Sequence, residues 1–406
     1  MTVTTPCLEN PPAQHLSPRR AWLGVTALGG ATFTVVTSEM LPVGLLTPMG
    51  ASLGVSEGAA GFALTVTGLM AAVSAAPLTA WLGRFDRRTL LCVLLAVVAV
   101  GNLAAACAPG YAMLMAGRVL VGAGMGGVWA LAASVTVRLA PARSMARALS
   151  VVFSGVAVAS VLGVPAGTVL GSVAGWRAAY VAVAGLSVAV LLALALTLPR
   201  LPAEGAVSVR GALRRAIDPR VRVGLIVVAL LVTGHFAAYT YVRPVLEQVA
   251  GVGAAQLGLL LLIYGIVGVA GNFVSGSVAA VRPRALMLVL GATIAVSVAL
   301  LPVLGTSALS AGMLLAVWGL AYGGVSVGTQ TWVLTAAPDA RESVSAVYVS
   351  VFNAAIGCGA LVGGFTADGF GSTAAMALGA GLALAAVVAV VVGPAEKEMK
   401  SAAPRL

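Results

Sequence analysis

Long apolar segments recur along the chain, and only short polar stretches separate most of them. Twelve of these segments are about 20 residues long or longer, the length that an α-helix needs to cross a bilayer. Strands of a β-barrel are shorter and alternate in polarity, so the pattern predicts an all-α polytopic membrane protein. The predicted spans are residues 22–48, 58–82, 89–108, 111–137, 148–172, 177–198, 222–244, 254–280, 284–304, 308–334, 343–368 and 371–393.

One long polar segment, residues 199–221, divides the spans into two sets of six. We predict an N-terminal half at 22–198, a C-terminal half at 222–393, and cytoplasmic tails at 1–21 and 394–406. Two sets of six spans are typical of transporters built from two repeats. The predicted fold therefore has two six-helix halves around a central cavity.

Composition supports a membrane protein. The chain is 60% hydrophobic and 9% charged, whereas soluble domains are about 45–50% apolar and about 25% charged. A net charge of +11 would suggest nucleic-acid binding in a soluble protein. In a membrane protein, the side of the membrane on which the charge lies matters more than its sum.

The basic residues predict the orientation. With the N-terminus in the cytoplasm, Arg177 and Arg243 fall outside and Arg118 falls within a span, while every other Lys and Arg falls on the inner side. The positive-inside rule then places both termini in the cytoplasm of a multi-pass cell-membrane protein. We expect the basic loops to contact anionic membrane lipids, and we expect no nucleic-acid partner.

Two charged residues lie deep inside predicted spans, Glu39 in the first and Arg118 in the fourth. A charge at mid-bilayer costs about 2.5–3.5 kcal/mol and usually faces the interior of a bundle. At 1.5 Å per residue, Glu39 is about 13 Å and Arg118 about 12 Å from the outer face. We predict that they share one central cavity and pair in at least one state.

Two interpretations of Glu39 remain open at this point. It could form a static ion pair that orients the helices, or it could bind a proton on one side of the membrane and release it on the other. Pro42 and Gly44 follow closely, so the helix can bend just beyond Glu39.

Four further residues are candidates for a substrate pocket. His235 lies roughly 20 Å from the inner face of the seventh span, and Tyr239 follows one helical turn later on the same face. His235 is either a satisfied packing residue or a participant in substrate or proton binding. Asn353 and Trp318 fall near mid-membrane in the eleventh and tenth spans, where either could pack or line a pocket.

Seven stretches in both halves form a recognisable set of motifs: EMLPVGLLTPM (39–49), LGVSEGAAG (53–61), GGVWALAASVTVRLAP (126–141), ALSVVF (148–153), GWR (175–177), YTYVRP (239–244) and WGL (318–320). With these motifs the chain resembles the major facilitator superfamily, in its drug:proton antiporter branch, and within it the bacterial exporters of purine ribonucleosides. The resemblance implies halves that rock about a central cavity and export driven by inward proton flow. It also implies a role in proton transfer for Arg118, in RVLVGAGMGG.

The loop after the second span reads GRFDRR, residues 83–88. The family usually has an acid where this chain has Gly83, and here Asp86 follows three positions later. The resemblance implies that Arg84, Arg87 and Arg88 serve a cytoplasmic gate, and it leaves open what Asp86 contacts. The alternative is that these arginines only set the topology.

The fifth span contains GVPAGTVLG, residues 163–171, which resembles the antiporter motif of the family. Pro165 removes a backbone hydrogen bond, and Gly163 and Gly167 allow close helix approach. The motif suits a hinge or a tight seal, or else it is generic helix packing.

The leading hypothesis is a proton-coupled exporter of a small, flat, partly polar molecule such as a purine ribonucleoside. The alternative on the same scaffold is a multidrug or sugar exporter, and a non-transporting receptor is the remote one. No Ser/His/Asp set, metal-ligand spacing or nucleotide loop occurs, so we expect no enzymatic activity, no metal and no cofactor, and no ATP-driven transport. A monomer suffices for one central cavity.

Overall fold

The computed structural model describes residues 18–81, 85–140, 144–202, 219–279, 281–337 and 341–393. These residues form α-helices, one π-helical turn and no β-strand. The first half comprises α1 (Pro18–Leu53), α2 (Glu57–Trp81), α3 (Arg87–Ala106), α4 (Tyr111–Leu139), α5 (Met145–Val158), α6 (Val164–Ala174) and α7 (Trp176–Thr197). The second comprises α8 (Pro219–Tyr239), α9 (Val242–Val249), α10 (Ala254–Ala279), α11 (Pro283–Leu304), α12 (Ala308–Gly323), α13 (Val325–Ala336), α14 (Arg341–Phe370) and α15 (Ser372–Val392).

Within the described residues, 12 helical segments are long and apolar enough to cross a membrane. The prediction of an all-α protein with twelve spans is therefore confirmed. Three spans are less regular than their apolarity predicts. The fifth comprises α5, a π-helical turn and α6, the seventh ends before the short α9, and the tenth is divided into α12 and α13.

Helix α1 is longer than the sequence predicts, because it continues through both Pro42 and Pro48 to Leu53. A proline inside a helix has no N–H to donate to the carbonyl four residues earlier. Pro42 therefore leaves the carbonyl of Ser38 without its helical donor, and Pro48 does the same to Gly44. Both carbonyls need donors from elsewhere in the bundle.

The π-helical turn in the fifth span covers Ala159–Gly163 and lies directly before α6, whose second residue is Pro165. Pro165 cannot donate to the carbonyl of Val161, which explains why the regular helical bonding changes here. The face toward α1 carries glycines, and a Cβ on Gly163 or Gly167 would overlap α1 side chains. The predicted close approach is thus present, and its use as a hinge stays a prediction.

The seventh span breaks at Thr240 and Tyr241, inside the YTYVRP stretch. Pro244 cannot donate to the carbonyl of Thr240, so α8 ends and α9 starts a new helix with the proline in its first turn. The Tyr241 side chain is buried, and its hydroxyl donates to the Ala360 carbonyl at 2.9 Å. This bond ties the break to α14.

The two halves meet along two helix pairs. Helix α2 packs on α14, where Gly68 lies against Gly357. The π-helical turn and α6 pack on α10, where a Cβ on Gly265 would lie 2.6 Å from the Ser160 carbonyl oxygen. Further contacts lie at the end of the bundle that holds residues 54–56, between α1 and α2; we call it the distal end.

Candidate functional site

Glu39 lies on α1 and is 3% exposed. Its Oε1 atom is buried and has no hydrogen-bond partner among the described residues. The carboxylate therefore lies inside the helical bundle with unused hydrogen-bonding capacity.

Arg118, on α4, is completely buried and makes three hydrogen bonds to backbone carbonyls. Its Nε donates to Ala63 at 3.1 Å, and its two terminal nitrogens donate to Ser38 at 2.9 Å and Glu39 at 3.0 Å. The guanidinium thus joins α1, α2 and α4. It meets the backbone of Glu39, and the two side chains form no ion pair in this conformation.

Proline placement explains this geometry. Pro42 leaves the Ser38 carbonyl without a helical donor, and Arg118 supplies one. A buried charged donor bound to carbonyls is satisfied without a carboxylate. Arg118 therefore has a structural function at this depth, and pairing with the Glu39 carboxylate in another state stays a prediction.

Two residues near the Arg118 guanidinium, Asn102 and Tyr180, were not predicted from the sequence. The hydroxyl of Ser38 donates to Asn102 Oδ1 at 2.9 Å, and the Asn102 amide donates to the Val98 carbonyl at 2.9 Å. The ring of Tyr180 lies below the Arg118 guanidinium, with its centroid 6.0 Å away. The signal that could have identified Asn102 is an amide within an otherwise apolar span.

The second half contains a buried aromatic cluster centred on His235, which is 1% exposed. The ring of Tyr322 stacks on the imidazole at a centroid distance of 3.3 Å, and that of Tyr239 stacks at 5.0 Å. The members come from α8, α10 and α12 and are His235, Phe236, Tyr239, Tyr264, Trp318 and Tyr322.

Hydrogen bonds define the state of His235. The indole N–H of Trp318 donates to Nδ1 at 3.2 Å, so Nδ1 carries a lone pair. Nε2 lies 3.5 Å from the Tyr264 hydroxyl. This arrangement fits a neutral imidazole with its proton on Nε2, held by partners on two other helices.

The structure thus brings together His235, Tyr239 and Trp318 of the predicted pocket residues. Asn353 lies on α14, half-buried, and its amide donates to the Val349 carbonyl at 2.9 Å. Its own carbonyl approaches Gly68 of α2, so it belongs to the contact between the halves. Tyr264 and Tyr322 were not predicted, although tyrosines inside apolar spans were a usable signal.

Asp86 caps the start of α3, where it accepts a hydrogen bond from the Thr89 N–H at 3.1 Å. Its other oxygen accepts from the Leu201 N–H at 2.5 Å, and the Arg87 N–H donates to the Leu201 carbonyl at 2.9 Å. The contact partner left open by the sequence is therefore the chain that follows α7. Arg84 lies outside the described residues, and gating by Arg87 and Arg88 stays a prediction.

Comparison with known proteins places these features in a family. The family model described as Major Facilitator Superfamily matches residues 28–357. The chain is 35% identical to the purine ribonucleoside efflux pump NepI of Salmonella paratyphi B over 375 residues, 92% of this chain and 94% of the relative. The pump of the same name from Salmonella typhimurium matches with the same identity and coverage.

Solved structures show the same fold. A bacterial homologue of the human lysosomal transporter Spinster, inward-facing and occupied, matches with a TM-score of 0.72 and 18% identity over 93% of this chain and 96% of that one. The D-xylose–proton symporter matches with a TM-score of 0.74 and 17% identity over 94% and 99%. The chain therefore belongs to the major facilitator superfamily and is a multi-pass membrane transporter, not an enzyme.

Proposed function

We propose that this transporter exports small, flat, partly polar solutes, with purine ribonucleosides as the favoured class, by proton antiport with alternating access. The observation that carries the proposal is the Glu39 carboxylate. It is buried inside the helical bundle, and its Oε1 has no donor among the described residues. It can take up and release a proton without breaking a hydrogen bond at that oxygen.

The separation of Glu39 from Arg118 supports this role. Arg118 is bound to three carbonyls, so it does not hold the Glu39 carboxylate in a permanent ion pair. A carboxylate that is locked to a cation would have to break that contact before it could be protonated. Glu39 remains available as the proton carrier, with Arg118 positioning the α1 backbone that bears it.

The aromatic cluster supports a flat substrate. Stacked rings such as Tyr239 and Tyr322 bind planar heterocycles through their faces, and hydroxyl and imidazole groups nearby can recognise polar edges. The relatives at 35% identity are named purine ribonucleoside efflux pumps. We assign His235, Tyr239, Trp318 and Tyr322 to the substrate side of the site, with Asn353 at its edge.

Charge placement supports an orientation in the cell membrane with both termini cytoplasmic. The distal end is then the external face, and the Asp86 region lies at the cytoplasmic face. Basic loops there contact anionic lipid, and one chain suffices as a monomer.

The decisive experiment uses purified protein in vesicles with an imposed pH gradient. We expect a purine ribonucleoside to accumulate on the side with the higher proton concentration, and collapse of the gradient by a protonophore to stop accumulation. Arabinose and unrelated drugs serve as competing substrates. Accumulation of only those compounds would reject the nucleoside assignment, and transport indifferent to the gradient would reject proton coupling.

Replacement of Glu39 separates coupling from binding. In Glu39→Gln we expect substrate exchange between equal pools to persist, while accumulation against a concentration gradient is lost. Glu39→Asp keeps a titratable group and should restore part of the accumulation. If Glu39→Gln still concentrates substrate, Glu39 is not the coupling acid.

A further inference from the structure

The second proline of α1 also has an arginine partner, and this partner comes from the other half. Pro48 leaves the Gly44 carbonyl without a helical donor, and a terminal nitrogen of Arg243 donates to that carbonyl. Arg243 lies on α9 and is only 7% exposed. One charged hydrogen bond therefore joins α1 directly to the C-terminal half.

Glu247 completes the contact. It accepts from Arg243 Nε at 2.8 Å, four residues away on α9, and from the Thr47 hydroxyl of α1 at 2.8 Å. We call the set of Gly44, Thr47, Arg243 and Glu247 the distal clamp. Each half contributes two of its residues, and every polar contact in it is charge-assisted.

The two arginines that donate to carbonyls of α1 differ in which parts of the protein they join. Arg118 lies in the same half as α1, so its bonds persist when the halves move as units. Arg243 crosses between the halves, so its bond to Gly44 must break if they separate at the distal end. In both places an arginine donates to a carbonyl that a proline leaves without its helical donor. One of these hydrogen bonds lies within a half, and the other lies between the halves.

A second layer lies beside the clamp. The Asp368 carboxylate of α14 accepts from the Ser56 hydroxyl at 2.6 Å and from the Gly58 N–H at 2.8 Å. An anion at the start of a helix is stabilised by the free N–H groups and the helix dipole there. The Ser372 hydroxyl donates to Glu57 at 2.5 Å, again between the halves. These contacts close the distal end around α1 and α2.

We propose that the distal clamp is a latch that holds the distal end closed in this conformation and opens once in each transport cycle. The inference rests on the alternating access of the proposed function. Release leaves Arg243 paired with Glu247, because both lie on α9 at positions i and i+4. Opening therefore breaks the bonds to Gly44 and Thr47 without leaving an unpaired buried charge.

The test measures the opening directly. Spin labels are placed at Ala51→Cys on α1 and Gln248→Cys on α9, both exposed, in a background without the native cysteines. Pulsed electron paramagnetic resonance in vesicles then gives the distribution of distances between them. Loss of a charged hydrogen bond in Arg243→Gln should raise the ratio of long to short distances about ten- to a hundredfold.

Arg177→Gln is the matched control. Arg177 also lies at the distal end, but it donates to Ser52 and Ala108, both within the N-terminal half. Its replacement should leave the distances unchanged. An unchanged distribution in Arg243→Gln, or an equal shift in the control, would overturn the proposal.

A second variant keeps the arginine. In Pro48→Ala the restored N–H can bond to the Gly44 carbonyl and compete with Arg243, so the distances should shift in the same direction. If Arg243→Gln does not fold, the distances measured in Pro48→Ala test the latch instead. The measurement uses no substrate and no pH gradient. A latch-dependent shift in a protein that fails the vesicle assay would reject the proposed substrate and proton coupling and retain the latch.

Discussion

Two charged residues inside the bundle, Arg118 and Glu39, meet through a backbone carbonyl instead of through their charges. Arg118 is satisfied by three carbonyls, one of which Pro42 leaves without a helical donor. At the residue scale, the arginine therefore acts on the position of α1. One oxygen of the carboxylate that α1 carries has no hydrogen-bond partner among the described residues.

Arg118→Lys should be strongly destabilising although it keeps the charge. A single ammonium cannot reach carbonyls of α1 and α2 in the fork geometry of a guanidinium. Loss of two charged hydrogen bonds corresponds to roughly 3–6 kcal/mol. Thermal unfolding in detergent should show a lower apparent Tm than the wild type. Arg222→Lys, at an exposed arginine on α8, is the control, and equal Tm values for the two variants would contradict the structural function of Arg118.

Trp318→Phe should weaken binding of the proposed substrate. The variant keeps an aromatic ring and removes the N–H that holds His235 Nδ1. Loss of a neutral hydrogen bond predicts a rise in KM of about two- to tenfold, with the imidazole free to change tautomer. Trp332→Phe is a matched control, because Trp332 is buried on α13 away from the cluster. Equal KM values for the two variants would remove His235 and Trp318 from the substrate site.

At the element scale, glycines decide how closely the spans pack. Helices α10 and α12 cross with almost no side chain between them. A Cβ on Gly271 would overlap the Leu320 carbonyl oxygen, and one on Gly323 would overlap that of Gly268. Lipid provides no hydrophobic drive between helices, so close backbone contact through small residues supplies the packing.

Gly271→Ala should therefore destabilise the second half. The added methyl group forces α10 and α12 apart, and overpacking of this kind costs about 1–3 kcal/mol. Gly381→Ala is the control, because Gly381 is exposed on α15 with open space around it. There alanine should stabilise the helix by up to about 1 kcal/mol. Apparent Tm values that fall for Gly271→Ala and do not fall for Gly381→Ala would support this account, and the reverse order would refute it.

At the scale of the whole molecule, the polar contacts described between the halves concentrate at the distal end. They include the Arg243 clamp, Asp368 at the start of α2, and Glu57 with Ser372. Among the described residues, most Lys and Arg side chains lie toward the opposite end. The distal end thus holds these polar contacts between the halves, and the other end matches the side that the positive-inside rule places in the cytoplasm.

The proposed orientation can be tested on the two ends of one helix. Val281 and Thr306 are exposed at opposite ends of α11. In a cysteine-free background, an impermeant maleimide applied to intact cells should label Thr306→Cys. Val281→Cys should react only after the cells are permeabilised. The opposite pattern would invert the topology and place the distal clamp on the cytoplasmic side.

The spans were predictable because each helix must satisfy its own backbone and present an apolar surface to lipid. The break at Thr240 and Tyr241 and the division at Gly324 were not, since apolar residues continue through both. The site was predictable in part. Glu39, Arg118 and His235 are conspicuous as charged or titratable residues in apolar spans. Asn102, Tyr264 and Tyr322 are visible there as weaker polar signals, but their partners Ser38 and His235 are shown only by the structure.

The sequence by itself determined the class of the protein, the number of spans, the orientation expected from its charges and the deep residues that require a partner. Each of these follows from how a single segment is solvated by lipid or water, which does not depend on the contacts of that segment with the rest of the fold. Only the tertiary structure decided that Arg118 and Arg243 bind the carbonyls of Ser38 and Gly44. A proline shows which carbonyl loses its donor, but the arginine that replaces that donor comes from a helix distant in the chain, and its choice depends on packing.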